Sequence, residues 1–334
     1  MSPAEPRPVP SSDSLYREEY PEGWYALETS KSLKRGAVKD IDFAGRPLVL
    51  FRTESGSVGL MDRHCVHMGA SLACGRVKGE RIVCPFHAWE YGVDGRCEKI
   101  PYEEEIPRNA RLATVPFREH LGMIWMYHGA EPAFALPDVP EFGMEGWLTR
   151  YRSDVLDCHQ LLILENPCDL QHLTPIHGLK FEAGRVDLNR NETHDFEIAL
   201  VLQVTVMGKT RHVKLVVHYV GPAALFFTLY RGEDVISKWY VAVHPMSGAR
   251  TSVHIVSIGK RLPLWLAPLQ PIASYLTMRQ LYQGMTADYA PIWKRQDTNW
   301  RRVLVRADGV QQKYRKFYEA HLPGPGLRMA AQSA

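Results

Sequence analysis

The chain has 334 residues, 45% of them hydrophobic, with 40 Lys and Arg against 37 Asp and Glu for a formal charge of +3. That length supports two domains or one large one. The near-balanced charge, with no dense basic run, argues against nucleic acid as a partner, and six cysteines are too few for a disulfide-built secreted fold.

The opening "MSPAEPRPVPSSDS" is rich in Pro and Ser and has no apolar stretch of the kind a signal peptide needs. Residues 1–18 are therefore expected to form a disordered tail, and the cytoplasm is the expected location. Short strands follow in "GWYALE", "PLVLFRTE", "SVGLMD" and "GMIWMYH", where β-branched and aromatic residues sit between Gly and Asp turns. The Pro- and Gly-punctuated stretch Ala130 to Gly143 reads as a linker. Beyond it come an extended piece, the segment "LENPCDLQHLTPIH" expected as helix, and five strands that alternate polar and apolar as a half-buried antiparallel sheet does. "LPLWLAPLQPIASYL", Leu262 to Leu276, is the nearest approach to a membrane span, but three prolines interrupt it and no apolar run reaches 18 residues. It is open to reading as a pocket wall, a lid, a membrane-surface contact or a plain packed loop. Met278 to Trp300 is expected to be helical with a kink before Pro291, and "GVQQKYRKFYEAHL" to form a last helix. The outline is a small β domain followed by an α+β domain.

The chemistry concentrates in two clusters. In the first, Cys65 and His67 form C-x-H, sixteen residues intervene, and Cys84 and His87 form C-x-x-H. Structural zinc accepts two Cys and two His, but zinc fingers usually pair like with like along the chain. One Cys and one His on each loop suits an asymmetric two-iron centre, in which one iron takes both thiolates and the other both imidazoles. That is the Rieske [2Fe–2S] arrangement, with Cys65, His67, Cys84 and His87 as cofactor ligands. Cys74, Cys97, Cys158 and Cys168 lack such spacing and read as buried free thiols.

The stretches "HMGASL", "CPFHAWEY" and "DGRCEKIP" resemble the Rieske domain of the Rieske non-haem iron oxygenases, with two departures. Met68 stands where Arg is common and Ala88 where Gly is common. Neither is a ligand, and their effect would fall on hydrogen bonding near the cluster.

In the second cluster Asn166, Asp169 and His172 are spaced i, i+3, i+6, which on a helix places them along one face. His172 and His177 would diverge by roughly 140° on a straight helix. Pro175 between them breaks the regular path and lets His177 return to a shared metal. A helix end carrying two ordinary histidines is the alternative.

This segment is similar to the mononuclear iron motif of the same oxygenases. The resemblance implies that His172 and His177 hold Fe(II) with a carboxylate, leaving positions open for O₂. It implies that Asp169 bridges His172 to His87 of a neighbouring subunit, and that Asn166 lies near the iron, although a helix-start hydrogen bond serves it equally well. The carboxylate comes from a late helix, where Asp288 and Asp297 are candidates. "DYAPIWKRQ…RADGVQQKYRKFYE" resembles the end of the 3-ketosteroid 9α-hydroxylase oxygenase branch. There the ligand precedes an Ile-Trp pair and an Asp-Gly, a pattern that favours Asp288.

The implied fold is α+β: a Rieske domain over 19–136, all β, and a helix-grip-like antiparallel sheet with flanking helices over 137–334. The implied function is terminal oxygenase, monohydroxylating a bulky apolar substrate of polycyclic or steroid type. Dioxygenation, demethylation, desaturation and oxidative cyclisation use the same iron. The chain holds no dinucleotide fingerprint, so NAD(P)H would act only through a separate reductase, directly or by a ferredoxin. The resemblance further implies a homotrimer with electron transfer between subunits; membrane contact is not expected. Two competing readings are a Rieske electron carrier with a partner-binding C-terminal domain and a zinc-stabilised binding module.

Overall fold

The computed structural model describes residues 16, 19–191, 193–206, 209–298 and 302–323. Apart from Tyr16, the tail expected up to residue 18 lies outside them, as does Trp300. The chain divides into two compact units, one of Gly23–Asp138 with Val243–Gly248, the other of Met1–Glu22, Val139–Ala242 and Ala249–Ala334.

The first unit holds ten strands: β1 (Gly23–Thr29), β2 (Val38–Phe43), β3 (Arg46–Arg52), β4 (Val58–Asp62), β5 (Arg76–Lys78), β6 (Arg81–Val83), β7 (Glu90–Tyr91), β8 (Cys97–Lys99), β9 (Phe117–His120) and β10 (Met123–His128). They form three small sheets, β1-β10-β9, β2-β3-β4 and β5-β6-β7-β8. In β3 the run Leu48 to Phe51 is buried throughout, the signature of a strand covered on both faces. Its hairpin with β2 turns on Ala44 and Gly45, both with positive φ, the conformation that matches the twist of the flanking strands. Phe51 lies over Gly59, where a Cβ would stand 2.3 Å from the ring. The cluster cysteines Cys65 and Cys84 share a core with Val49, Phe51, Leu72, Ile82 and Tyr91.

The second unit is built on a seven-stranded antiparallel sheet of β11 (Trp147–Leu156), β12 (Lys180–Asn191), β13 (Asp195–Val206), β14 (Lys209–Val220), β15 (Ala224–Arg231), β16 (Asp234–Met246) and β17 (Arg250–Lys260), in the order β11-β17-β16-β15-β14-β13-β12. The five expected strands are β13 to β17. β12 was not legible, because the apolar alternation of "KFEAGRVDLNRN" is short and broken at Gly184 and Arg185, where the pairing with β13 also shifts register. Among the described residues four helices accompany the sheet: α1 (Gln160–Glu165), α2 (Leu173–His177), α3 (Gln270–Thr286) and α4 (Gly309–Ala320). The α+β architecture is as expected. α4 buries Tyr314, Phe317 and Tyr318, an i, i+3, i+4 set, and its rings meet Phe196 and Tyr219 of the sheet. α1 is buried at every position, and its Glu165 takes two hydrogen bonds from Arg315.

Two local expectations change. Helix α3 starts at Gln270 instead of Met278: Pro271 sits in its first turn, where a missing N–H costs nothing, so this proline starts the helix. The helix also ends at Thr286, before Pro291, and turns replace the kinked continuation.

Candidate metal centres

Cys65 and Cys84 open two loops of the same construction. Cys65 N–H donates to Ala70 O at 2.9 Å and its carbonyl accepts from Gly69 N at 2.8 Å; Cys84 N–H donates to Trp89 O at 2.8 Å and its carbonyl accepts from Ala88 N at 3.2 Å. Gly69 and Ala88 are thus equivalent, and both are left-handed, with φ of 71° and 58°. This explains why Gly is ordinary at position 88: the backbone there asks for a conformation that a Cβ disfavours. Met68, the other departure, is an exposed side chain.

The two thiols are buried, whereas His67 is exposed and His87 half-buried, their rings 4.7 Å apart. Burial raises the Cys84 thiol above its ordinary range, and neighbouring Cys65 adds to that, so the site disfavours free thiolates and favours a cation that neutralises them. Among the described residues, Cys65, His67, Cys84 and His87 do not form a group whose ligand atoms all lie within 4.8 Å. That is not the close gathering of four donors that a single tetrahedral zinc requires. Three neighbours escaped the sequence reading. Tyr91 Oη lies 3.0 Å from Cys65 Sγ, Trp89 stacks on His67 at 4.6 Å and 6°, and Trp89 Nε1 donates to Tyr102 Oη at 2.9 Å. Trp89 and Tyr91 alternate along "CPFHAWEY", a strand periodicity that points both toward the cysteine loops.

Of the remaining cysteines, Cys97, Cys158 and Cys168 are buried, and burial pushes the Cys158 thiol up to about 12. Cys74 is exposed, contrary to expectation, because it ends a single 3₁₀ turn in which Leu72 is buried in the core and Ala73 packs against it.

The second cluster does not lie on one helix. α1 stops at Glu165, Asn166 and Pro167 start a 3₁₀ turn, and Asp169 leaves it with ψ near 89°. Asn166, Asp169 and His172 therefore share no helix face. Pro175 does not make the break; it sits in the first turn of α2, where proline is tolerated. Gly178, at φ 64°, caps that helix by donating to Leu173 O and Thr174 O, a left-handed C-cap that leaves His177 as the last helical residue. Asn166 contributes its carbonyl, which accepts Asp169 N–H at 3.0 Å.

The turn aims the imidazoles. His172 Nδ1 is hydrogen-bonded to the Asp169 carbonyl oxygen, so the proton belongs on Nδ1 and the lone pair on Nε2. Nε2 is buried without a hydrogen-bond partner. The His172 and His177 rings are 5.0 Å apart, and Asp288 comes between them from just beyond the end of α3. Asp288 is 2% exposed, its Oδ2 3.2 Å from His177 Nε2 but without hydrogen-bond geometry. His172, His177 and Asp288 are the one group of three or more possible ligands, among the described residues, whose ligand atoms all lie within 4.8 Å of one another. Burial keeps His177 below the ordinary imidazole range against the opposing pull of Asp288, so at neutral pH it is uncharged and able to coordinate. A carboxylate with an orphaned oxygen and an imidazole with an orphaned nitrogen are costly to bury alone; a divalent cation satisfies both. The donor set, two imidazoles and one carboxylate, is that of a facial triad. Asp297 is exposed and outside the group. The Asp169 carboxylate lies 3.9 Å from His172 Nδ1, is 39% exposed, and accepts Gln171 N–H at 3.2 Å.

Two family models match the chain: the Rieske [2Fe-2S] domain over residues 23–116 and the 3-ketosteroid 9α-hydroxylase C-terminal domain over residues 124–321. The 3-ketosteroid-9-alpha-monooxygenase oxygenase component of Mycobacterium tuberculosis is 32% identical, over 90% of this chain and 81% of that one. The cholesterol 7-desaturase of Xenopus laevis is 29% identical, over 90% of this chain and 71% of its own. In fold, the chain matches dicamba monooxygenase bound to dicamba, with a TM-score of 0.72 at 18% identity, covering 95% of this chain and 99% of the other. The protein belongs to the Rieske oxygenases, enzymes with a [2Fe–2S] cluster and a mononuclear non-haem iron, in the family of the 3-ketosteroid 9α-hydroxylases.

Proposed function

We propose that this protein is the terminal oxygenase of a multicomponent system and monohydroxylates a bulky, apolar, steroid-like substrate. One observation carries the reading: His172 Nε2 and Asp288 Oδ2 are buried, unpartnered and gathered with His177 within reach of one ion. In this proposal those three residues hold Fe(II), and Cys65, His67, Cys84 and His87 hold the Rieske cluster. When bound, the iron offers open positions to O₂ and the cluster supplies electrons.

The chain's own residues do the positioning. The Asp169 carbonyl fixes the His172 tautomer and turns Nε2 inward. In this proposal the Asp169 carboxylate, 39% exposed, accepts from His87 of a neighbouring copy while the carbonyl of the same residue orients His172, which is the proposed electron route in a head-to-tail trimer. The exposed rim of Val66, Met68 and Phe86 beside His67 and His87 supports contact with that copy or with a reductase or ferredoxin.

The test is metal and sulfide analysis of protein purified without oxygen, followed by turnover of 3-ketosteroids with a reductase. About three irons and two sulfides per chain are expected; zinc without sulfide would sink the proposal, and two irons that Fe(II) cannot raise to three would leave an electron carrier. Asp169→Asn should keep both metals while losing roughly 10- to 100-fold in coupled turnover. Desaturation is the second reading, favoured by the cholesterol 7-desaturase relative. Mass analysis separates the two, since one product gains an oxygen atom and the other loses two hydrogens.

A further inference from the structure

The segment Leu262 to Leu276 is not a packed loop. It forms a 3₁₀ turn over Leu264–Leu269 that runs into α3. Its outer surface is apolar: Leu264 is 91% exposed, Trp265 78%, Leu269 49%, Ile272 58%, Tyr275 64% and Leu276 52%. Leu269, Ile272 and Leu276, at the start and in the first turns of α3, are spaced i, i+3, i+7 and share one stripe with Tyr275 beside it, and Leu264 and Trp265 stand out from the 3₁₀ turn that leads into it. The inward positions are mixed: Leu266, Gln270, Ala273 and Ser274 are half-buried and Met278 is buried. Gln270 Oε1 accepts Leu262 N–H at 2.7 Å and Gln270 Nε2 donates to Ser274 Oγ at 3.2 Å. An ordinary surface helix turns its apolar stripe inward and its polar residues to water. Here six large apolar side chains face outward instead, at a cost in exposed apolar area that folding alone does not recover.

Charge says what covers the stripe. Residues 262–278 carry no charge, Lys260 and Arg261 precede them, and Arg279 follows. All three basic residues are exposed, and the sequence has no Asp or Glu between Asp234 and Asp288. An apolar face bearing a Trp and a Tyr, ringed by basic side chains, is the chemistry of a bilayer interface with anionic headgroups. A partner protein would more often answer the basic rim with acids, and a second copy brings none from this stretch.

We propose that the turn and N-terminal half of α3 dock the enzyme on an anionic membrane surface. The choice of lipid over a second copy rests partly on the apolar-substrate reading above, since such a substrate is held in bilayers. The docked helix is the one that leads to Asp288, so the contact places the catalytic unit against the phase that stores its substrate.

Flotation of the holoenzyme on vesicles tests this, using phosphatidylcholine alone and phosphatidylcholine mixed with phosphatidylglycerol. Binding to the mixed vesicles is expected. Trp265→Ser with Ile272→Ser should weaken it by on the order of a hundredfold, about tenfold for each large side chain withdrawn from lipid. Lys260→Gln with Arg261→Gln should lower binding to the mixed vesicles and leave the weaker binding to phosphatidylcholine alone unchanged. Cluster absorbance checks folding, and Leu264→Ser with Tyr275→Ser stands in if the first pair loses its cluster. No flotation of wild type, or equal flotation of wild type and variants, overturns the proposal. So does a change of sedimenting mass in the serine variants without any vesicle binding, which would assign the stripe to self-contact. Vesicle binding by an enzyme that leaves steroids untouched would instead overturn the substrate reading and leave the docking intact.

Discussion

Replacing Asp288 by Asn separates a metal ligand from a structural carboxylate by the sign of its effect. The Asp288 side chain is 2% exposed, one of its oxygens has no hydrogen-bond partner, and its neighbour His177 is held neutral by burial. With the mononuclear site stripped by a chelator, the buried carboxylate is left with an oxygen that has no hydrogen-bond partner. Such a group costs about 1–3 kcal/mol, and the isosteric amide, able to donate as well as accept, removes much of that cost. The chelated Asn variant should be more stable than chelated wild type by roughly 1–3 kcal/mol. Fe(II) reverses the order. Wild type gains about 2.7 kcal/mol when the free ion is a hundredfold above its dissociation constant, whereas the variant gains little. Thermal or denaturant unfolding of both proteins, with chelator and with Fe(II), measures the crossing, and iron analysis should fall by one iron per chain with sulfide unchanged. A carboxylate that only braces the end of α3 would destabilise the variant under both conditions. That result, or full iron retention by the Asn variant, would refute the reasoning; Asp297→Asn should change neither quantity.

Three further outcomes are expected. Ala88→Gly should raise stability by about 1 kcal/mol, since it relieves a left-handed alanine at the position equivalent to Gly69; unfolding of the holoprotein in urea reads it, with cluster absorbance unchanged. Tyr91→Phe removes the hydroxyl 3.0 Å from Cys65 Sγ, a donor that favours the more negative reduced cluster. The potential from a redox titration should drop by on the order of 50 mV, roughly 1 kcal/mol for one electron. His244 is fully buried beside the Ala26 carbonyl, 2.7 Å from its Nδ1, and burial lowers its pKa to about 4 from the ordinary 6.5. The folded protein then binds fewer protons than the unfolded chain between those values. Its contribution is complete above pH 6.5 and is lost as pH falls through 4, to a total of about 3 kcal/mol. His244→Gln should flatten this part of the pH–stability curve relative to wild type.

Both clusters were legible in the sequence because their geometry is local. The Cys65 and Cys84 loops are closed by hydrogen bonds within five residues, and the His172 tautomer is set by a carbonyl three residues back. Spacing therefore specifies these sites nearly by itself. Where spacing was extended into conformation it failed. A single helix from Leu164 to His177 was reasonable from the i, i+3, i+6 pattern, but Pro167 ends α1 after Glu165 and the chain turns at Asp169. Likewise Pro271 reads as a breaker until the start of α3 is known. The rest needed the tertiary structure. Asp288 and Asp297 both carry a carboxylate on nearby chain, and only the path of α3 puts one among the histidines and leaves the other in water. Tyr91 meets Cys65 through a shared core, and the apolar side chains between Leu264 and Leu276 stand exposed while Gln270 and Ser274, half-buried, bond to each other. Composition cannot say which side of a helix faces the sheet; that is decided by which contacts remain once the strands have paired.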